Sequence, residues 1–265
     1  MIRNLSCSTA LALVLFAPPA LADMTPENVW EGWQSLSARS GQELAFASAT
    51  RNGDTLVVTK LVTSHSDPVG GDFTATIDAV NFKDNGDGTV SVTMSDRYPV
   101  TIDIPDAGDG PTSMKLTVLQ PGFTITAGGT PEAASYDIKA PTISVKLDEM
   151  TSGAAPLETK ASVVLTGLAG KYLLSPKGDV TEFDSSFTLE GVALNIDGKD
   201  AVGGSQGTVI MSMADVAAGA KGNLLAPEIM ENMAVALNAG FTAASNFSFG
   251  AMAIDFNMTD ASGPA

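Results

Sequence analysis

The chain has 265 residues, with 14 basic and 30 acidic side chains, a net charge of −16, one cysteine and one histidine. A surface this acidic repels phosphate backbones and anionic headgroups over a Debye length of about 10 Å, which argues against nucleic-acid binding and otherwise serves solubility. One Cys and one His exclude disulfides and thiolate zinc sites, and leave Ser-His-Asp chemistry a single candidate histidine.

Residues 1–22 read as a cleavable signal peptide. Arg3 precedes an apolar run from Leu5 to Phe16, and Ala20-Leu21-Ala22 supplies a small-x-small site, so cleavage is expected after Ala22. The run is too short for a permanent membrane span, and no later segment approaches transmembrane length. Cys7 leaves with the peptide. The exported chain, residues 23–265, then has no cysteine and carries 13 basic against 30 acidic residues. Its expected location is the periplasm, as a single β-rich domain held by a packed core.

Thr25, Pro26 and Glu27 form a helix start, and Gly41 lies beyond the expected end, which predicts a helix over 26–38. Val29, Trp33 and Leu36 share one face with Trp30 at its edge. The two Trp residues are the only ones in the chain, and docking this helix onto a sheet is their expected role.

From Leu44 the apolar period changes to two. The turn signal Arg51-Asn52-Gly53-Asp54 predicts a hairpin between residues 43–50 and 55–61. Phe73, Ala75 and Ile77 alternate, and the phase then slips to Val80 and Phe82, which requires a bulge near Asp78. Between Phe82 and Val90 lies Asp84-Asn85-Gly86-Asp87-Gly88. An EF-hand counted from Asp84 would put Gly86, Gly88 and Ser95 at its third, fifth and twelfth positions, so the calcium template fails and a hairpin turn is expected.

Alternating strands follow at 98–104, 114–118, 123–125, 136–140, 143–147, 162–168, 187–196 and 207–213, each bounded by Gly, Pro, Asp or Asn. Pro99 implies that its nitrogen faces an edge or solvent. Residues 227–239 read as a second amphipathic helix, with Ile229, Met233 and Leu237 on one side and Gly240 as the stop. The strand pattern resumes at Phe247 and Phe249, then shifts phase to Ile254, Phe256 and Met258.

Little of this marks chemistry. His65 lies in Thr63-Ser64-His65-Ser66-Asp67, read as a polar surface loop with no G-x-S-x-G nearby. Asp103, Asp106 and Asp109 form a second acidic turn, read as a solvated loop rather than a hard-cation site. Gly203-Gly204-Ser205-Gln206-Gly207 precedes a strand, so it is no phosphate cradle. Nothing marks a carboxylate pair for glycoside hydrolysis, and two Trp with three Tyr are few for a carbohydrate cleft. Six Met residues follow position 210; core filling is their expected role, and a surface for acyl chains is the alternative. No catalytic, cofactor-binding or metal-binding residue is assigned.

The V-W-x-x-W of the first helix, the N-G-D-T-L-V-V hairpin at 52–58 and the F-x-x-N-G-D-G-T-V-S-V segment at 82–92 together resemble the domain-of-unknown-function 2125 family of exported alphaproteobacterial proteins. The likeness covers residues 22 to about 150. It implies an envelope location and a β-rich build, brings no activity or catalytic residue, and implies that a chain ending at Ala265 is truncated relative to longer members.

The expected fold is mainly β: an extended, curved antiparallel meander with a short N-terminal helix and one later amphipathic helix. The expected function is non-enzymatic, with a lipid-like or other hydrophobic small molecule bound on an apolar concave face or helix-covered groove. A structural or protein-interaction β module, partnered by another envelope protein, is the alternative, and a carboxylate-based hydrolase the third reading.

Overall fold

The computed structural model describes residues 23–39, 41–67, 70–105, 110–153, 155–177, 180–199, 206–226, 229 and 232–259. The signal peptide, Asp106, Asp109 and Gly203 to Ser205 lie outside the described residues. The protein is mainly β and antiparallel throughout, as the alternation predicts.

Helix α1 (Pro26–Arg39) begins as its sequence requires. The Thr25 hydroxyl accepts from the Asn28 backbone N–H at 3.2 Å, and Asn28 Oδ1 accepts from the Thr25 N–H and hydroxyl, a reciprocal cap with Pro26 at the first helical position.

The strands are β1 (Glu43–Ala45), β2 (Ser48–Asn52), β3 (Thr55–Asp67), β4 (Gly71–Asp84), β5 (Val90–Met94), β6 (Arg97–Ile104), β7 (Thr112–Leu119) and β8 (Thr124–Gly129). They continue as β9 (Ala134–Ser152), β10 (Ala155–Pro156), β11 (Glu158–Lys177), β12 (Val180–Lys199), β13 (Gln206–Leu224), β14 (Ala243–Ser248) and β15 (Ala251–Thr259). All belong to one sheet. Its strand positions are filled either by one long strand or by two short ones end to end. Thus β3 pairs with both β1 and β2, β4 with both β5 and β6, β9 with both β7 and β8, and β13 with both β14 and β15.

The joints between the short strands fall on one line, and the long strands interrupt their ladders on that same line. Pairing skips Lys60 and Asp78 between β3 and β4, Pro141 and Gly167 between β9 and β11, and Glu190 and Asp215 between β12 and β13. Register is identical on both sides of each gap, so neighbouring strands each spend one residue there. Lys60, Gly167 and Asp215 have φ of 51°, 63° and 52°. A left-handed residue inserted in a strand reverses which face the later side chains take. Apolar spacing therefore becomes three at this crease, as in Val58/Leu61, Ile77/Val80, Leu189/Val192 and Met213/Val216, and one face stays apolar along the full strand. The bulge expected at Asp78 is thus one point of a crease that crosses the sheet.

At the N-terminal end the apolar face is covered. Phe82 is fully buried, with Trp33 and Trp30 ring centroids 5.2 and 5.9 Å away, and Val58, Val80, Val90, Val92 and Val29 close the cluster. A smaller cluster of Ala75, Val100 and Val118 lies on the other side of the crease, with Tyr98 packed against both. Pro99 pairs only with β7, because the β4 ladder on β6 begins at Val100.

Two expectations need correction. The second helix, α2, spans Met233–Asn238, shorter than 227–239; Asn232 caps it, accepting from Ala234 and Val235 N–H. Residues 227, 228, 230 and 231 lie outside the described residues. Its apolar side is not docked, since Met233 and Leu237 are exposed and only Ala236 is buried. His65 is not in a loop either: it belongs to β3, opposite Phe73, because Gly71 and Asp72 extend the β3–β4 ladder to Asp67.

Candidate functional site

The sheet brings its sequence-flagged polar residues into structural roles. Asp84 Oδ1 accepts from Gly86 N–H at 2.8 Å, and Asp87 Oδ1 accepts from the Thr89 N–H and hydroxyl at 3.1 and 2.6 Å. Those bonds hold the Asp87 carboxyl below the usual carboxylate range. Gly86 and Gly88 adopt φ of 75° and 82°. The cluster is the β4–β5 turn, its acceptors spent on the chain itself. His65 Nδ1 is 3.0 Å from the Gly41 carbonyl oxygen. Asp67, Asp72 and Asp103 meet around a depression of about 430 Å³ at the sheet end, where Asp67 accepts from Gly70 N–H and Asp72 from the Ser66 hydroxyl. Among the described residues no group of three or more His, Cys, Asp or Glu could hold a metal ion.

What the sheet does assemble is apolar. Cross-strand partners share a face in an antiparallel ladder, so the register defines rows running across the strands. Below the crease, Ile254 of β15 stands opposite Met211, Met211 opposite Leu194, Leu194 opposite Val163, and Val163 opposite Val145. Above it, Phe247 stands opposite Ala218, Ala218 opposite Phe187, Phe187 opposite Gly170, and Gly170 opposite Ile138. Charged residues of β12, Glu182, Asp184, Glu190 and Asp197, take the alternate positions on the opposite face.

This face is covered at one end only. Beyond β9, Tyr172 continues it with its ring 6.4 Å from both Tyr136 and Phe183. The phenols of Tyr136 and Tyr172 are pushed above the usual tyrosine range, chiefly by burial. Farther out, exposure rises: Phe247 is 60%, Ile254 56% and Phe256 66% accessible. Met252 and Met258 are exposed as well, which overturns core filling as the role of the late methionines. Val216, beside the crease, is the only buried residue among the described residues from 158 to 224, which places the sheet's inward fold along that line. A shallow depression of about 520 Å³ lies next to it, lined by Ser185, Phe187, Ala218, Ala220, Ser245 and Phe247. Phe187 leans toward Gly170, where any Cβ would stand 2.3 Å from its ring, and leaves the small side chains of Ala218 and Ala220 as the floor.

Sequence reasoning marked two points of the crease, Asp78 and the phase shift before Ile254, and missed Pro141, Gly167, Glu190 and Asp215. The same three-residue apolar step occurs at 140/143, 165/168, 189/192 and 213/216 and would have located them. No helix among the described residues is long and apolar enough to cross a membrane. No family model, curated protein or solved structure matches the chain. The class that fold and site define is an antiparallel β protein with a creased sheet and a half-uncovered apolar face.

Proposed function

We propose that this is a non-enzymatic envelope protein, exported through the signal peptide at 1–22, that carries a lipid-like or other hydrophobic ligand on the uncovered part of its apolar face. One observation carries the reading: rows filled and sealed by α1 at the N-terminal end continue, equally apolar, to the exposed Phe247, Ile254 and Phe256. Apolar surface of that extent in contact with water is typical of binding sites rather than of free monomer surface. Burying it against a ligand contributes roughly 25 cal/mol per Å². Organic extraction of the purified protein followed by mass spectrometry is expected to release lipid, and the emptied protein to bind a fluorescent fatty-acid probe. Absence of both overturns the proposal.

A second reading, a protein-interaction module of the envelope, is favoured by the outer edge of β14 and β15. That edge has unpaired backbone groups and all of its side chains exposed. It is distinguished by a partner polypeptide copurifying in place of lipid.

A further inference from the structure

We infer that the ligand is the extended acyl chain of a neutral or zwitterionic lipid, lying across the strands along the crease with its methyl end toward α1 and its headgroup at the β14–β15 edge. This rests on the hydrophobic-ligand reading above and adds position, direction and headgroup chemistry.

Position follows from the crease. The side chains flanking it on the apolar face are Ala140 and Ile143 on β9, Leu165 and Leu168 on β11, and Leu189 and Val192 on β12. Met213 and Val216 continue the line on β13, and Phe249 and Met252 end it at the joint between β14 and β15. All are apolar. A ligand on this line touches both halves of the sheet, whereas one lying elsewhere on the face touches only one. From β9 to β15 the line crosses four strand spacings, about 19 Å at ~4.8 Å each. One leaflet of a bilayer's hydrocarbon core is about 15 Å deep, half of ~30 Å, so a single acyl chain fits this length.

Direction follows from what closes each end. Toward the N-terminus the equivalent positions, Val58, Leu61, Ile77 and Val80, are buried in the cluster that α1 seals with Trp30 and Trp33. Toward the C-terminus the line opens at Phe249 and Met252, both exposed. A chain enters from the open end, tail first.

Headgroup chemistry follows from charge. Residues 232–259, which include α2, β14 and β15, contain one charged side chain, Asp255, and no Lys or Arg. An open end without a cation, on a chain of net charge −16, gives a phosphate or carboxylate no partner and repels it at long range.

The two native tryptophans mark the closed end and make direction measurable. The delipidated protein is titrated with palmitoyl lysophosphatidylcholine carrying a doxyl quencher either near the carboxyl or near the methyl end of its chain. The methyl-end label is expected to quench tryptophan emission at least two-fold more. In a Phe249→Trp variant, the emission added by the new residue is expected to show the reverse order. The palmitoyl phosphatidylglycerol counterpart is expected to bind at least five-fold more weakly at low salt, with the gap narrowing at high salt. Binding with equal quenching by the two labels, or tighter binding of the anionic lipid, overturns this inference and leaves the hydrophobic-ligand reading standing. No binding of either lipid overturns both.

Discussion

The sheet carries the same kind of apolar rows at its two ends, yet they meet opposite fates. At the N-terminal end Phe82 is sealed under Trp30 and Trp33. At the other, Phe256 occupies an equivalent inward position on β15, opposite Val209, and is 66% exposed. Alternation therefore specifies which side chains share a face; it does not specify whether anything covers that face. Cover comes from one 14-residue helix, and it reaches only the first strands.

The largest expected effect divides these two ends directly. Phe82→Ala removes a fully buried ring from the aromatic cluster and is expected to cost about 3–5 kcal/mol. Phe256→Ala is expected to stay within about 0.5 kcal/mol, as a solvent-facing substitution does. Urea midpoints of the two variants test the contrast. A multi-kcal/mol loss at Phe256 would show the C-terminal face covered in solution and break the comparison.

Next in size is the crease, which both ends share. Gly167 has φ +63° and an added Cβ would stand 2.4 Å from the Glu190 side chain, so Gly167→Ala is expected to cost more than about 1 kcal/mol. Asp215→Gly at φ 52° removes the left-handed penalty and is expected to be neutral or stabilising by up to about 1 kcal/mol. Thermal melts of the two variants should therefore move in different directions. A smaller, one-ended effect is expected at the α1 cap, where Thr25→Ala removes the acceptor for Asn28 N–H and should cost about 1 kcal/mol.

The unequal cover also explains what could be read in the sequence. Strand positions, the α1 boundaries and the Asp84 to Gly88 turn were legible because period two, Pro26 and the Gly pairs act locally. The crease was half legible: Ile77 to Val80 showed the slip, while Gly167 and Asp215 take their left-handed backbone from neighbouring strands that break on the same line. The state of the late methionines was illegible. Met252 and Phe82 have the same pattern around them, and the difference lies in the reach of a helix more than 200 residues earlier in the chain. His65 was misread because its polar neighbours suit a loop, whereas the pairing that keeps it in β3 comes from Gly71 to Phe73.

The smallest expected effect concerns the three tyrosines, which lie along the boundary between covered and open sheet. Burial raises the phenol pKa of Tyr98, Tyr136 and Tyr172, and the neighbouring Tyr172 raises that of Tyr136 further. These are all the tyrosines in the chain, so no phenol should titrate at the usual value near 10 while the protein is folded. The sign of the linkage follows. Above the unfolded pKa the unfolded chain loses phenolic protons that the folded chain keeps, so stability falls as pH rises from about 10 toward the folded values. Phenolate absorbance during alkaline titration should therefore rise late and sharply, together with the loss of β-sheet circular dichroism. An early component near pH 10, with the sheet intact, would place at least one ring in water. Tyr172, beyond the reach of α1, would be the first to suspect, and the boundary of the covered region would then lie on β9 rather than on β11.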